Sequence, residues 1–241
     1  MADGSRTTPS STYSLAAIRS VRGEILALLV AGLVLVIWWT VIASRVLETA
    51  LLDLLEATTP DDDARLRPLI WAGACAALWL LPALTAARVG LGRSWGELGL
   101  GLGGLRAHLP AYVGLLGLML GVVWLASLSS EFQRVYPLYR GPASGRLLWL
   151  VVYGLHFVGV ELFFRGFLLF PFERRLGVLA PIVGALPYLM THFGKPLPET
   201  LAALPAGLVL GWLALETRSI WGGVLVHVAI ALAMEVLAST A

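Results

Sequence analysis

Cysteine, lysine and charge are what this chain has least of. Cys75 is its single cysteine, which excludes an intrachain disulfide and any CxxC-type zinc or redox site and leaves it as a small apolar helix residue. Lys195 is the one lysine beside sixteen arginines. Charged residues make up only 13% of the 241 positions, where a water-facing domain carries about 25%. An ordinary soluble domain is therefore excluded. With a net charge of +2 and no dense basic run, nucleic acid is excluded as a partner. What is abundant is apolar: 58% of residues are hydrophobic and the mean hydropathy is +0.83. The solvent these residues suit is lipid.

The first 22 residues are polar, rich in Ser and Thr, and read as a flexible tail. From residue 23 to 241 the sequence reads as one all-α polytopic transmembrane helical bundle. Apolar runs lie at Ile25–Ala43, Leu69–Ala87, Leu109–Leu128, Leu147–Phe170, Val178–Met190, Leu201–Leu215 and Ile220–Leu237, which makes about seven spans, within a range of six to eight. The first run is too long for a signal-peptide core and reads as a retained helix. The fifth and sixth are short for a crossing and are expected to be tilted or buried by neighbours. Thr59-Pro60-Asp61-Asp62 supplies a cap residue, a first-turn proline and acids ahead of the second span, and Ser94-Trp95-Gly96-Glu97 reads as a capping box opening a short interfacial helix. Alternating the loops puts nine basic residues on the N-terminal side against seven on the other, a lean towards a cytoplasmic N-terminus. Gly117–Gly121 and Gly207–Gly211 have the spacing that lets helix backbones approach. The string Gly99–Gly104 formally satisfies GxGxxG, but no strand precedes it, so no dinucleotide site is read there.

Ionisable side chains are costly within the hydrocarbon region, and here they are unevenly placed. The first three spans hold essentially none in their interiors. The last four hold or border His156, Glu161, Arg165, His192, His227 and Glu235, so a polar cluster inside the bundle is expected. Glu161 and Arg165 are one turn apart on one helix face and can pair, either as a structural ion pair or as part of a site. A histidine in a membrane helix can equally serve as hydrogen-bonding glue. A carboxylate and two histidines facing one cavity, however, are the parts needed to activate water and stabilise an oxyanion. The absence of HExxH, of GxSxG and of an Asp pair within the spans disfavours zincin, serine-type and presenilin-like sites.

Three stretches carry a resemblance. Glu161-Leu162-Phe163-Phe164-Arg165 resembles the first motif, E-E-x-x-x-R, of the CAAX-prenyl-protease and bacteriocin-processing (CPBP) intramembrane proteases. Tyr188–His192 resembles their second motif, an aromatic residue with His four positions on, and the stretch from Ser219 to His227 resembles the third. Order and spacing agree over Gly159–Ala231, within a motif-bearing region 147–238. The resemblance implies a metal-independent endopeptidase in which Glu activates water, a His partners it, and the third-motif His and Asn form the oxyanion site. It assigns Glu161 as candidate base, His192 as its partner, His227 as oxyanion or water ligand and Arg165 as the group orienting Glu161. Two positions depart from the pattern: Val160 stands where the first Glu is expected and Ala231 where the Asn is. Glu199, at the start of the sixth span, and Glu235, eight residues past His227, are possible auxiliary acids.

Two histidines and a carboxylate are in principle enough to hold zinc, but no dedicated ligand motif is present, and neither metal nor cofactor is expected. The expected partners are the lipid bilayer and a membrane-associated protein or lipidated peptide as substrate. The arginine-rich, Ala/Gly/Leu-rich composition suggests a bacterial plasma membrane. Two other functions fit the same sequence: a catalytically inactive relative acting as a membrane chaperone, immunity or scaffold protein, and a small proton-coupled transporter. The lack of paired repeats counts against the transporter.

Overall fold

The computed structural model describes residues 19–57 and 59–240, without the side chain of Thr240. Most of the expected N-terminal tail thus lies outside the described residues, and Arg19 and Ser20 are already helical. The elements are α1 (Arg22–Ile37), α2 (Val46–Leu54), α3 (Pro60–Thr85), α4 (Leu105–Ser127), α5 (Ser130–Val135), α6 (Arg146–Glu161), α7 (Glu173–Leu176), α8 (Pro181–Met190), α9 (Leu197–Thr217) and α10 (Trp221–Thr240). Among the described residues there is no strand, and six helices are long and apolar enough to cross a membrane, with the ten-residue α8 as a seventh apolar segment. The chain is an all-α polytopic bundle. The sixth apolar run is longer than its sequence suggested, because α9 extends over Leu197–Thr217.

Local chemistry explains the helix starts. At α3, Thr59 caps the backbone N–H of Asp62 at 3.2 Å while the Asp62 carboxylate accepts from the Thr59 N–H, and Pro60 occupies the first helical position. Ser94 and Glu97 make the same reciprocal pair, at 2.8 and 3.3 Å, although it caps only the single 3₁₀ turn Gly96–Leu98.

One face of the first span, Arg22–Ile42, carries Ala27, Ala31, Val34 and Trp38, all buried, whereas Leu29, Leu33 and Val36 point outwards. The buried stripe packs with Cys75, Trp79, Ala83 and Ala87 of the second span in the largest core cluster. Lipid tails are as apolar as these side chains, so close packing of small residues, rather than expulsion of water, holds such helices together. A Cβ on Gly159 would lie 3.0 Å from that of Trp79, so α6 lies close against α3 just before Glu161. Gly207 and Gly211 likewise face Ala185 and Pro181 of α8. The Gly117–Gly121 pair does not behave this way: both face open space, and their spacing seats no partner helix among the described residues. The Gly99–Gly104 string is a loop folded onto the end of α9, where the Gly104 N–H donates to Thr217 O at 2.7 Å and a side chain at Gly103 would strike that carbonyl.

Three spans end in wide π-helical turns, at Trp38–Ile42, Ala86–Gly90 and Leu162–Phe167, a feature concentrated at functional sites. The last begins directly after Glu161 and carries Arg165. At about 15 Å, α8 is too short to cross a ~30 Å hydrocarbon core. The turn that follows it carries His192 and Lys195 to the wall of an internal cavity.

Candidate active site

The site is built from α6, α8 and α10. Glu161, 0% exposed, ends α6. Its Oε1 lies 3.1 Å from Arg165 Nη1 one turn on and 2.7 Å from His227 Nδ1 of α10. These are ion-pair distances without hydrogen-bond direction: neither Glu161 oxygen, nor either terminal Arg165 nitrogen, nor His227 Nδ1 has a hydrogen-bond partner. The space that the carboxylate fills exists because residue 223, one turn before His227, is glycine; any Cβ there would collide with Glu161 Oε2. Arg165 is also held over the Tyr188 ring, 4.5 Å from its centroid, a cation–π contact.

Tyr188 joins the elements. Its hydroxyl meets His227 Nε2 at 2.8 Å, and its carbonyl meets His192 Nδ1 at 3.0 Å. A carbonyl only accepts, so His192 carries its proton on Nδ1 and, when neutral, keeps the lone pair on Nε2. His192 belongs to the turn after α8, where burial, with Lys195 nearby, depresses its imidazole to about 4 and keeps it neutral.

A cavity of about 150 Å³ lies among these helices, and Tyr188, His192 and His227 line it. Glu161 and Arg165 do not. The position next to Glu161 does: Val160 lines the cavity, and so does Ala231. One residue turns a helical side chain by about 100°, and α6 remains a regular α-helix through Glu161. Glu161, read from the sequence as the base, is therefore placed behind His227, and Arg165 stays with it.

The auxiliary acids part company. Glu199, in the first turn of α9, lines the cavity, accepts from the Tyr136 hydroxyl at 2.9 Å and pairs with Lys195 Nζ at 3.1 Å; Lys195 also donates to the Tyr136 hydroxyl at 3.0 Å. Glu235 accepts from the backbone N–H groups of Leu138 and Tyr139 and from Trp149 Nε1, at 2.7, 3.3 and 3.3 Å. It clamps the loop after α5 rather than serving as a solvated acid. Sequence reasoning did not single out Tyr136, Tyr188's hydroxyl or Lys195, although a sole lysine beside a Gly-Pro break was a usable signal. His156, buried with Nδ1 unpartnered, also lines the cavity. Among the described residues no three His, Cys, Asp or Glu side chains are grouped to hold a metal ion.

Residues 142–233 match the family model described as type II CAAX prenyl endopeptidase Rce1-like. This stretch is similar to that family. The match runs from α6 into α10 and takes in Glu161, Arg165, Tyr188, His192, Lys195, Glu199, Gly223 and His227 but not Tyr136 or Glu235, so the CPBP resemblance read from the three motifs is shown over these residues. No curated protein and no solved structure matches the chain. In the matched stretch three imidazoles, of His156, His192 and His227, and the phenols of Tyr153 and Tyr188 line one cavity inside an apolar bundle, groups able to accept and donate a proton.

Proposed function

We propose that the protein is an integral-membrane endopeptidase of the CAAX-protease-like type, acting in a bacterial plasma membrane on a membrane-associated or lipidated peptide. The observation that carries this reading is the convergence of His192 and His227 on one cavity. His192 serves as the general base: its Nε2 lone pair takes a proton from a cavity water, whose oxygen attacks the scissile carbonyl. The Tyr188 hydroxyl turns from His227 to the developing oxyanion, and the imidazolium of His192 returns its proton to the leaving amine as the C–N bond breaks. Glu161 is a positioning residue, holding His227 and through it Tyr188, while Arg165 balances its charge.

A second reading, in which the protein binds such peptides without cutting them, is favoured by Val160 and Ala231, which present aliphatic groups to the cavity where the motifs have Glu and Asn. Comparing membrane-protein termini in cells carrying wild type, His192→Ala, Glu161→Gln or Val160→Glu/Ala231→Asn separates the two. The endopeptidase reading expects new termini with wild type, their loss with His192→Ala by about 10²–10⁴ in rate, and a smaller loss with Glu161→Gln. Termini produced only by Val160→Glu/Ala231→Asn would establish the binding reading instead.

A further inference from the structure

A second pocket, of about 360 Å³, adjoins the cavity and shares Trp38, Trp71, Thr191 and Lys195 with it. Its own lining is cationic: Arg45, Arg67 and Lys195 stand against one acid, Glu48. The three cations are not equivalent. Lys195 is paired with Glu199 at 3.1 Å, and Arg67 is held by Asp63, Nε to Oδ1 at 2.9 Å, and lies 3.8 Å from Glu48. Arg45 makes no direct side-chain hydrogen bond or ion pair among the described residues, although its charge acts on Glu48 and Asp63, and its backbone is left-handed at φ 61°, a conformation suited to glycine or asparagine. Strained residues of this kind gather at ligand clamps.

The pocket's place in the bilayer narrows what fills it. Arg45 lies just past the end of the first span (Arg22–Ile42), and Arg67 lies near the start of the second (Pro60–Gly90). Trp38, Trp39 and Trp71 line the same pocket, and tryptophans beside basic residues mark headgroup depth. A pocket at that depth in which Lys195 and Arg67 are held by acids and the exposed Arg45 is free to turn to a headgroup, continuous with an apolar cavity, is complementary to a molecule with an acidic head and a hydrocarbon tail. We propose that it binds an anionic single-chain lipid, its head between Arg45 and Arg67 and its chain running past Trp38 and Trp71 into the cavity. This does not depend on hydrolysis; it places a lipid where a peptide substrate would have to compete with it.

Full-length protein in neutral detergent is titrated with 1-oleoyl-lysophosphatidate, oleate, oleoyl-lysophosphatidylcholine and mono-oleoylglycerol, each also in chain-brominated form to quench tryptophan emission on contact. Saturable quenching by lysophosphatidate at affinity at least about tenfold above the neutral and zwitterionic lipids is expected, as charge-assisted hydrogen bonds to the head require. Oleate reports whether a carboxylate head suffices. Arg45→Asn, which keeps the left-handed backbone and removes the charge, should abolish the preference, and Arg45→Lys should retain much of it. Equal affinity for neutral and anionic lipids, or a preference unchanged in Arg45→Asn, overturns the proposal. So does selective binding of a free-acid peptide over its C-terminal amide without any preference among the lipids.

Discussion

Glu161 Oε1 and His227 Nδ1 lie 2.7 Å apart, yet the two residues face different surroundings. His227 lines the cavity, and Glu161 is sealed behind it by Arg165 and by the bare backbone of Gly223. The Glu161 carboxylate is 0% exposed and does not line the cavity. Under the proposed function it holds the ring of the histidine in front of it, and through that ring the hydroxyl of Tyr188.

Arg165 and Glu161 are both buried, and removing one charge leaves the other uncompensated, at a cost of about 3–5 kcal/mol. Arg165→Met should therefore lower the thermal midpoint in detergent strongly. The double variant Glu161→Gln/Arg165→Met should recover much of the loss, because no unpaired charge remains. A double variant as unstable as the single one would show that the pair itself is not what Arg165 supplies.

The glycines should separate sharply. Gly223→Ala drives a methyl group into the Glu161 carboxylate, and overpacking of this kind costs about 1–3 kcal/mol. Gly117→Ala and Gly121→Ala face open space and replace a poor helix former with a good one, so they should be neutral or stabilising. Thermal melts of the three variants in one detergent check the order.

His192 should stay neutral until the pH falls to about 4. A histidine in the unfolded chain protonates near pH 6.5. Between these values the unfolded state binds more protons than the folded one, so this residue lowers stability as pH drops through that window and has no such effect above it. Imidazole ¹⁵N resonances assigned by His192→Ala measure this directly. Titration of that signal near 6.5 would contradict the half-buried, cavity-lining setting given to His192 by the turn after α8.

Local pattern alone determined a good deal. The apolar runs, the Thr59–Asp62 cap and the Glu161–Arg165 pair one turn apart rest on neighbours within a few residues, where helical spacing suffices. Three motifs in order also pointed to the right region, now matched over residues 142–233. What the sequence did not determine is direction. Whether Val160 or Glu161 meets the cavity depends on how α6 is rotated against α3 and α10, and that rotation is set by close contacts such as Gly159 on Trp79 and Gly223 on Glu161. Tyr136 meets Lys195 and Glu199 from 59 and 63 positions away in the sequence, and Glu235 reaches Leu138 across 97. Pairings of this kind arise only when helices pack, because a buried polar atom takes whichever partner the neighbouring helix or loop brings within reach.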